Sequence, residues 1–304
     1  MLNKSKLRAI TPKAASPSKP KILIYGKPGV GKTWTALDFP SCYYIDTEGG
    51  ADLAHYTDKL NASGGVYMGP DQGSLVFDEI LGQVQALTTE KHPYKTLVID
   101  SISKVFAVAI ADEAERLEQG NKKNEFGADK KPAIKAMRRL TSWLTRLDMT
   151  VILIAHEKEE WGQNDKGERI QIGATFDAWD KLEYELHLAL HIVKAGPKRV
   201  ARVRKTRLQE FPDASSFPWS YAEFSERYGR DIIEQEAKQM ALATPEQIAE
   251  WEQLVRAVNF PQESVQKWLK AGNAETFAEL ETGNASACIA ALRKTIPTPK
   301  EGIS

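Results

Sequence analysis

The chain has 304 residues, and its 41 lysines and arginines are balanced by 41 aspartates and glutamates. That length predicts a large folded core with a smaller appendage, and the zero formal net charge means that any affinity for a polyanion must come from local clustering. With 42% hydrophobic and 27% charged residues, and no apolar run long enough to cross a bilayer, the composition argues for a soluble protein and against a membrane role.

Residues 1–20 carry Lys4, Lys6, Arg8, Lys13 and Lys19 with no acidic residue. Thr11, Pro12, Ser16, Pro17 and Ser18 stand where a signal peptide would place an apolar segment. This is read as a flexible basic arm, either a solvated terminus or a tail that touches phosphates. Residues 21–230 form the predicted core. Short apolar runs at 22–25, 42–45, 96–99 and 151–155 read as buried strands separated by helical or loop segments. Such alternation predicts an α/β fold with a mainly parallel sheet, helices on both faces and ligands at the carboxyl ends of the strands. Leu186, Leu188, Leu190 and Ile192 then alternate with other residues, Gly196-Pro197 interrupts, and 199–205 continues, which reads as a hairpin extending the sheet. Residues 221–240 are polar and read as helical, with 231–243 as a connector.

The last predicted unit is a small all-helical module over 244–304. It opens on Thr244-Pro245-Glu246-Gln247, a threonine N-cap with proline at the first helical position and glutamine at the third. Two further helices are expected around 265–269 and 285–294, with Trp251, Trp268 and Leu269 as core residues. Cys42 and Cys288 lie far apart and lack the grouped spacing of a zinc site or a disulfide framework, so a reducing, cytoplasmic setting is expected.

Gly26-Lys27-Pro28-Gly29-Val30-Gly31-Lys32-Thr33 fits the eight-residue phosphate-binding pattern, with an apolar strand before it and a plausible helix from Trp34 after it. Its glycines let successive N–H groups turn inward, and the helix N-terminus adds partial positive charge. Lys32 is expected on the β- and γ-phosphates of ATP, and the Thr33 hydroxyl on Mg2+. Asp100, ending the run 96–100, is the expected acidic partner of that metal; capping the following helix is the alternative role.

The segment 42–50, ending Asp46-Thr47-Glu48-Gly49-Gly50, resembles the stretch after the second core strand in RecA-type recombinases and their KaiC- and DnaB-like relatives. The resemblance implies that Glu48 activates the attacking water, with Asp46 and Thr47 in support; a plain polar turn is the other reading. His156, after the strand 151–155, stands where RecA-like proteins often place a residue sensing the γ-phosphate; recombinases typically carry glutamine there, and a structural histidine is the alternative. Lys205 and Arg207 resemble the Lys-x-Arg pair that ring or filament members insert into a neighbour's ATP site, which implies a homo-oligomer; a solvated basic strand end is the alternative.

Two stretches correspond to the DNA-binding loops of RecA-like proteins. The first contains Lys122, Lys123, Phe126 and Lys130, and the second runs from Lys158 through Trp161, Lys166 and Arg169 to Gly173. Cations there can follow a phosphate backbone while an aromatic ring stacks on bases; five carboxylates around the second stretch weaken that reading, and ordinary flexible loops are the alternative. Taken together, the motifs resemble phage-encoded RecA-like ATPases described as single-strand annealing or phage nucleotide-binding proteins. That resemblance implies an ATPase acting on single-stranded DNA in recombination or annealing, in the host cytoplasm. It also implies contact with single-strand-binding protein or another recombination factor through the helical module. A KaiC-like regulator acting on a protein and a small-molecule kinase are the competing expectations.

Overall fold

The structure, a computed structural model, describes residues 18–50, 53–120 and 128–295. In chain order the first half runs β1 (Lys21–Gly26), α1 (Lys32–Ala36), β2 (Cys42–Asp46), α2 (Ala54–Ala62), β3 (Val66–Met68), α3 (Phe77–Thr89), β4 (Thr96–Asp100), α4 (Ile102–Gln119) and α5 (Lys130–Arg146). There follow β5 (Thr150–Gln163), β6 (Arg169–Asp177), α6 (Leu182–Glu185), β7 (Leu188–Ala195), β8 (Lys198–Thr206), β9 (Ser216–Pro218), α7 (Tyr221–Tyr228) and α8 (Arg230–Glu234). The chain continues through α9 (Pro245–Ala257), α10 (Gln262–Ala271) and α11 (Thr282–Arg293).

The strands form one sheet in the order β3-β2-β4-β5-β1-β7-β8-β9, with β6 paired to β5 outside that path. From β3 to β7 every neighbouring pair is parallel, whereas β8, β9 and β6 join antiparallel. This is the RecA-like P-loop arrangement: β5 lies between the strand that feeds the phosphate loop and the strand that ends in Asp100.

Both faces of the parallel strands are covered, which is why their sequences read as unbroken apolar runs rather than alternating ones. Leu23, Leu97, Ile99, Val151 and Leu153 face a core shared with α3, α4 and α5. Their neighbours Ile22, Ile24, Val98, Ile152 and Ile154 face the opposite core, against α7, α8 and an aromatic group of Phe39, Phe211 and Phe224. Each such side chain taken out of water contributes about 1.5–3 kcal/mol.

Several expected boundaries move. Lys19, expected in the flexible arm, is buried and its ammonium donates to the Gln235 carbonyl, and Val151 N–H donates to the Pro20 carbonyl at 2.9 Å; residues 1–17 of the arm lie outside the described residues. The helical expectation for 221–240 holds only as far as Glu234, where α8 ends one residue after the buried Ile233. Residues 235–243 cross extended to the terminal module, Met240 N–H donating to the Thr88 carbonyl and Ala243 N–H to the Leu280 carbonyl. Most consequential is β5, which does not stop at Ala155. It runs for 14 residues, and with β6 makes a hairpin where a loop was expected from Lys158 to Gly173.

The terminal module has a core of its own. Trp251 stacks on Phe277 at 4.4 Å between ring centroids, and Leu269, Ile289 and Leu292 close around them. Thr244 and Gln247 form the expected capping box. Arg139 of α5 pairs with Glu275 at 3.1 Å and Glu279 at 2.9 Å, holding the module to the larger core.

Candidate functional site

Four parallel strands deliver their carboxyl ends to one cleft. β1 ends at Gly26, and Gly29 and Gly31 adopt φ of 73° and 86°, a left-handed backbone that side chains resist. These turns bring the chain back so that α1 begins at Lys32. The Lys32 ammonium lies inside the loop, donating to the Gly26 carbonyl at 2.7 Å and the Lys27 carbonyl at 3.2 Å. Burial pushes its pKa down, against the opposing pull of Asp100, Glu48 and Glu157. Pro28 and Gly29 line the cleft, while Val30 turns its side chain into the core and offers only backbone. Trp34 is partly exposed and carries the Lys59 ammonium 3.8 Å above its ring.

The Thr33 hydroxyl donates to Asp100 Oδ2 at 2.5 Å. Burial raises the Asp100 pKa to about 6, the Thr33 hydrogen bond opposing this while the nearby Glu48 and Asp46 carboxylates reinforce it. Two hard oxygens side by side suit Mg2+, which keeps water and substrate phosphate in its shell rather than requiring a protein cage. Among the described residues no cluster of three or more His, Cys, Asp or Glu is placed to hold a metal.

β2 and the turn after it set Glu48. Asp46 Oδ1 accepts the N–H groups of Glu48 at 2.9 Å and Gly49 at 3.0 Å, fixing the turn from within. Thr47 N–H donates to the Asp100 carbonyl at 2.7 Å, and the Thr47 hydroxyl accepts Ser101 N–H at 2.9 Å. Glu48 is thereby tied to the strand that carries Asp100. Its Oε1 accepts the Ser101 hydroxyl at 2.7 Å and meets His156 Nε2. Burial alone would raise the Glu48 pKa, yet the hydrogen bonds from Ser101 and His156 outweigh it and hold the carboxyl below its ordinary value. Glu48 is therefore ionised at neutral pH.

His156 and Glu157 come from β5 at the level of Gly26. Glu157 pairs with His191 at 2.9 Å, and His191 stacks on Tyr25 with centroids 4.9 Å apart. His156 and Glu157, with Lys32, Glu48, Tyr56 and Arg199, line a cavity of about 630 Å³, a volume suited to a nucleotide.

Lys205 and Arg207 are not in this cleft. The β7–β8 hairpin turns near Gly196, so Arg199 pairs with Lys194 at the carboxyl end of the strands, whereas Thr206 pairs with Leu188 at the amino end. Six residues of strand separate Lys205 from Arg199, roughly 20 Å at 3.3 Å per residue. Lys205 donates to the Leu186 carbonyl and Arg207 to the Tyr184 carbonyl. The cation beside the phosphate loop is Arg199, whose Nε donates to the Val30 carbonyl at 3.1 Å. The expected hairpin already contained the signal: a turn at 196–197 returns residue 199, and not 205, to the strand ends that bind ligand. Tyr56, Ser101 and His191 were missed too, being gathered by long-range contacts.

Of the expected DNA contacts, Lys122, Lys123 and Phe126 lie outside the described residues. Lys130 opens α5. Lys158 is engaged by Asp180 at 3.3 Å and Asp177 at 3.6 Å. Trp161 is exposed on the β5–β6 hairpin with the Arg169 guanidinium 4.7 Å from its ring centroid, and Lys166 sits in the turn.

Topology and cleft together define a RecA-like P-loop ATPase, a class that binds nucleotide and as a rule uses Mg2+. A family model described as AAA domain matches residues 18–210, and the chain belongs to that family. The search of curated proteins gave no match. Among solved structures, the RadB recombinase crystal structure aligns at 18% identity over 66% of this chain and 86% of that one, with a TM-score of 0.37. A likeness of that degree bears on neither detail nor activity. Among the described residues no helix is long and apolar enough to cross a membrane.

Proposed function

We propose that the protein hydrolyses ATP in this cleft and uses the cycle to change its hold on single-stranded DNA, in phage recombination or annealing. One observation carries the reading: a single strand, β5, holds His156 and Glu157 in the nucleotide cleft and Trp161 on the exposed hairpin. Lys32 places positive charge against the β- and γ-phosphates. Glu48 orients a water and takes its proton; both recorded hydrogen bonds fall on Oε1, which leaves Oε2 for that water. Thr33 and Asp100 would hold the Mg2+, which supplies neutralisation of phosphate charge when it arrives with the nucleotide.

DNA contact is supported by the Trp161–Arg169 pair and by α5. That helix opens on Lys130 and Lys131, carries Arg138 and has no acidic residue, while its Lys135 and Arg139 are engaged by Glu275 and its Arg146 by the Glu279 carbonyl. Lys205 and Arg207, remote from their own cleft, fit a homo-oligomer in which they reach a neighbour's phosphates. The terminal module offers a separate body for a single-strand-binding protein or another recombination factor.

The test is ATP hydrolysis with magnesium, with and without single-stranded DNA, and with Lys32→Ala to exclude contaminating ATPase. DNA stimulation that vanishes in the variant supports the reading. Absence of both stimulation and DNA binding moves it to a protein-regulating ATPase, a second reading favoured by exposed Ile170 and Ile172 on the same hairpin.

A further inference from the structure

Arg199 occupies a place that neither the phosphate-loop pattern nor the Lys-x-Arg pair accounts for. Its Nε donates to the Val30 carbonyl at 3.1 Å. A methyl group at Gly31 would fall 2.0 Å from Nε and 2.7 Å from Cζ, so the guanidinium lies directly against the loop at Gly31. Its backbone is fixed on both sides, by β7 through Lys194 and by the Trp219 N–H, which donates to the Arg199 carbonyl at 2.9 Å. The side chain borders the same cavity as Lys32, Glu48 and His156.

A guanidinium carries five N–H donors and stays charged at any physiological pH. One donor is used on Val30. Among the described residues Arg199 makes none of the ion pairs that engage Arg139, Arg204 or Lys158. A permanent cation with donors to spare, held rigidly at the edge of a phosphate cavity and unneutralised by a carboxylate, is suited to anionic oxygen.

We infer that Arg199 is a nucleotide-binding residue acting within its own chain: Nε holds the loop at Val30 while the terminal amino groups take a phosphate oxygen of the bound nucleotide. This rests on the reading of the cleft as an ATP site. Gly31 belongs to the part of the loop that cradles the α- and β-phosphates, which ATP and ADP share. Arg199 therefore sets affinity for both nucleotides, in contrast to Glu48, which acts on the hydrolytic step.

The experiment is equilibrium binding of Mg-ATP and Mg-ADP to the full chain, comparing wild type, Arg199→Ala and Arg199→Lys, with Lys32→Ala as the non-binding control. KM, kcat and thermal midpoints are measured on the same samples. Arg199→Ala weakens ATP and ADP together by about tenfold, KM for ATP rises in step, kcat changes by a smaller factor, and Arg199→Lys recovers part of the affinity. Unchanged affinity in Arg199→Ala overturns the inference while leaving the ATP site intact. Equal losses in the alanine and lysine variants, accompanied by a lowered thermal midpoint, overturn it in favour of a structural brace. A wild-type chain that binds neither nucleotide overturns the ATP site itself.

Discussion

The same strands end in two different electrostatic environments. At their carboxyl ends Lys32, Arg199 and His156 interleave with Glu48, Asp100 and Glu157 around an open cavity. At their amino ends cations are buried against main-chain carbonyls: Lys21 donates to those of Leu147, at 2.6 Å, and Met149, at 2.5 Å. Burial pushes Lys21 down to about 7, Lys205 to about 8 and His187 to about 4. One end is arranged to exchange partners with a ligand; the other buries basic groups within its own chain, which favours their neutral forms.

If that contrast is right, substitutions at the two ends should fail in different ways. Lys32→Ala should abolish nucleotide binding, a loss of at least 100-fold by calorimetry. Glu48→Gln should keep nucleotide affinity and slow turnover by about 10²–10³; normal turnover would remove Glu48 from the reaction. Lys205→Ala should bind ATP normally yet lose about tenfold in turnover in the assembled state. Mixing it with Lys32→Ala subunits should restore activity, because each variant supplies what the other lacks. No recovery on mixing would confine Lys205 to its own chain.

The smallest effect is in pH. Between about pH 6.5 and pH 4 the unfolded chain takes up a proton that folded His187 refuses, so stability falls as pH falls across that window. Asp100, raised to about 6, takes up its proton in the folded state and offsets part of this loss. His187→Gln should flatten the fall by on the order of 1 kcal/mol once solvent screening is allowed for, read from urea midpoints at pH 7 and pH 5. An unchanged pH slope would show that His187 titrates alike in both states.

The core was legible wherever the information was local. Ile22 to Tyr25 and Thr96 to Ile99 are buried on both faces and read as strands without help, and the glycine spacing of residues 26–33 declares its own turn. Glu48 was singled out through a short segment whose turn Asp46 fixes by hydrogen bonds to residues two and three positions on, and the structure places it in the cleft. Arg199 and Tyr56 were not singled out, because contacts between distant parts of the chain bring them to the cleft. The outer half of β5 was misread for another reason: Lys158, Glu159 and Glu160 face solvent, so no apolar pattern marks them as strand.

That outer half has a mechanical consequence. From Val151 to Ile154 the strand is clamped between β1 and β4, whereas beyond His156 its strand partner among the described residues is β6, with a bulge opposite Glu160 and Trp161. It is built like a cantilever, anchored in the sheet and tied beside its outer end by the Arg204–Glu160 ion pair at 3.2 Å. Any tilt imposed at His156 reappears, magnified by roughly 17 Å of arm over five residues, at the indole of Trp161.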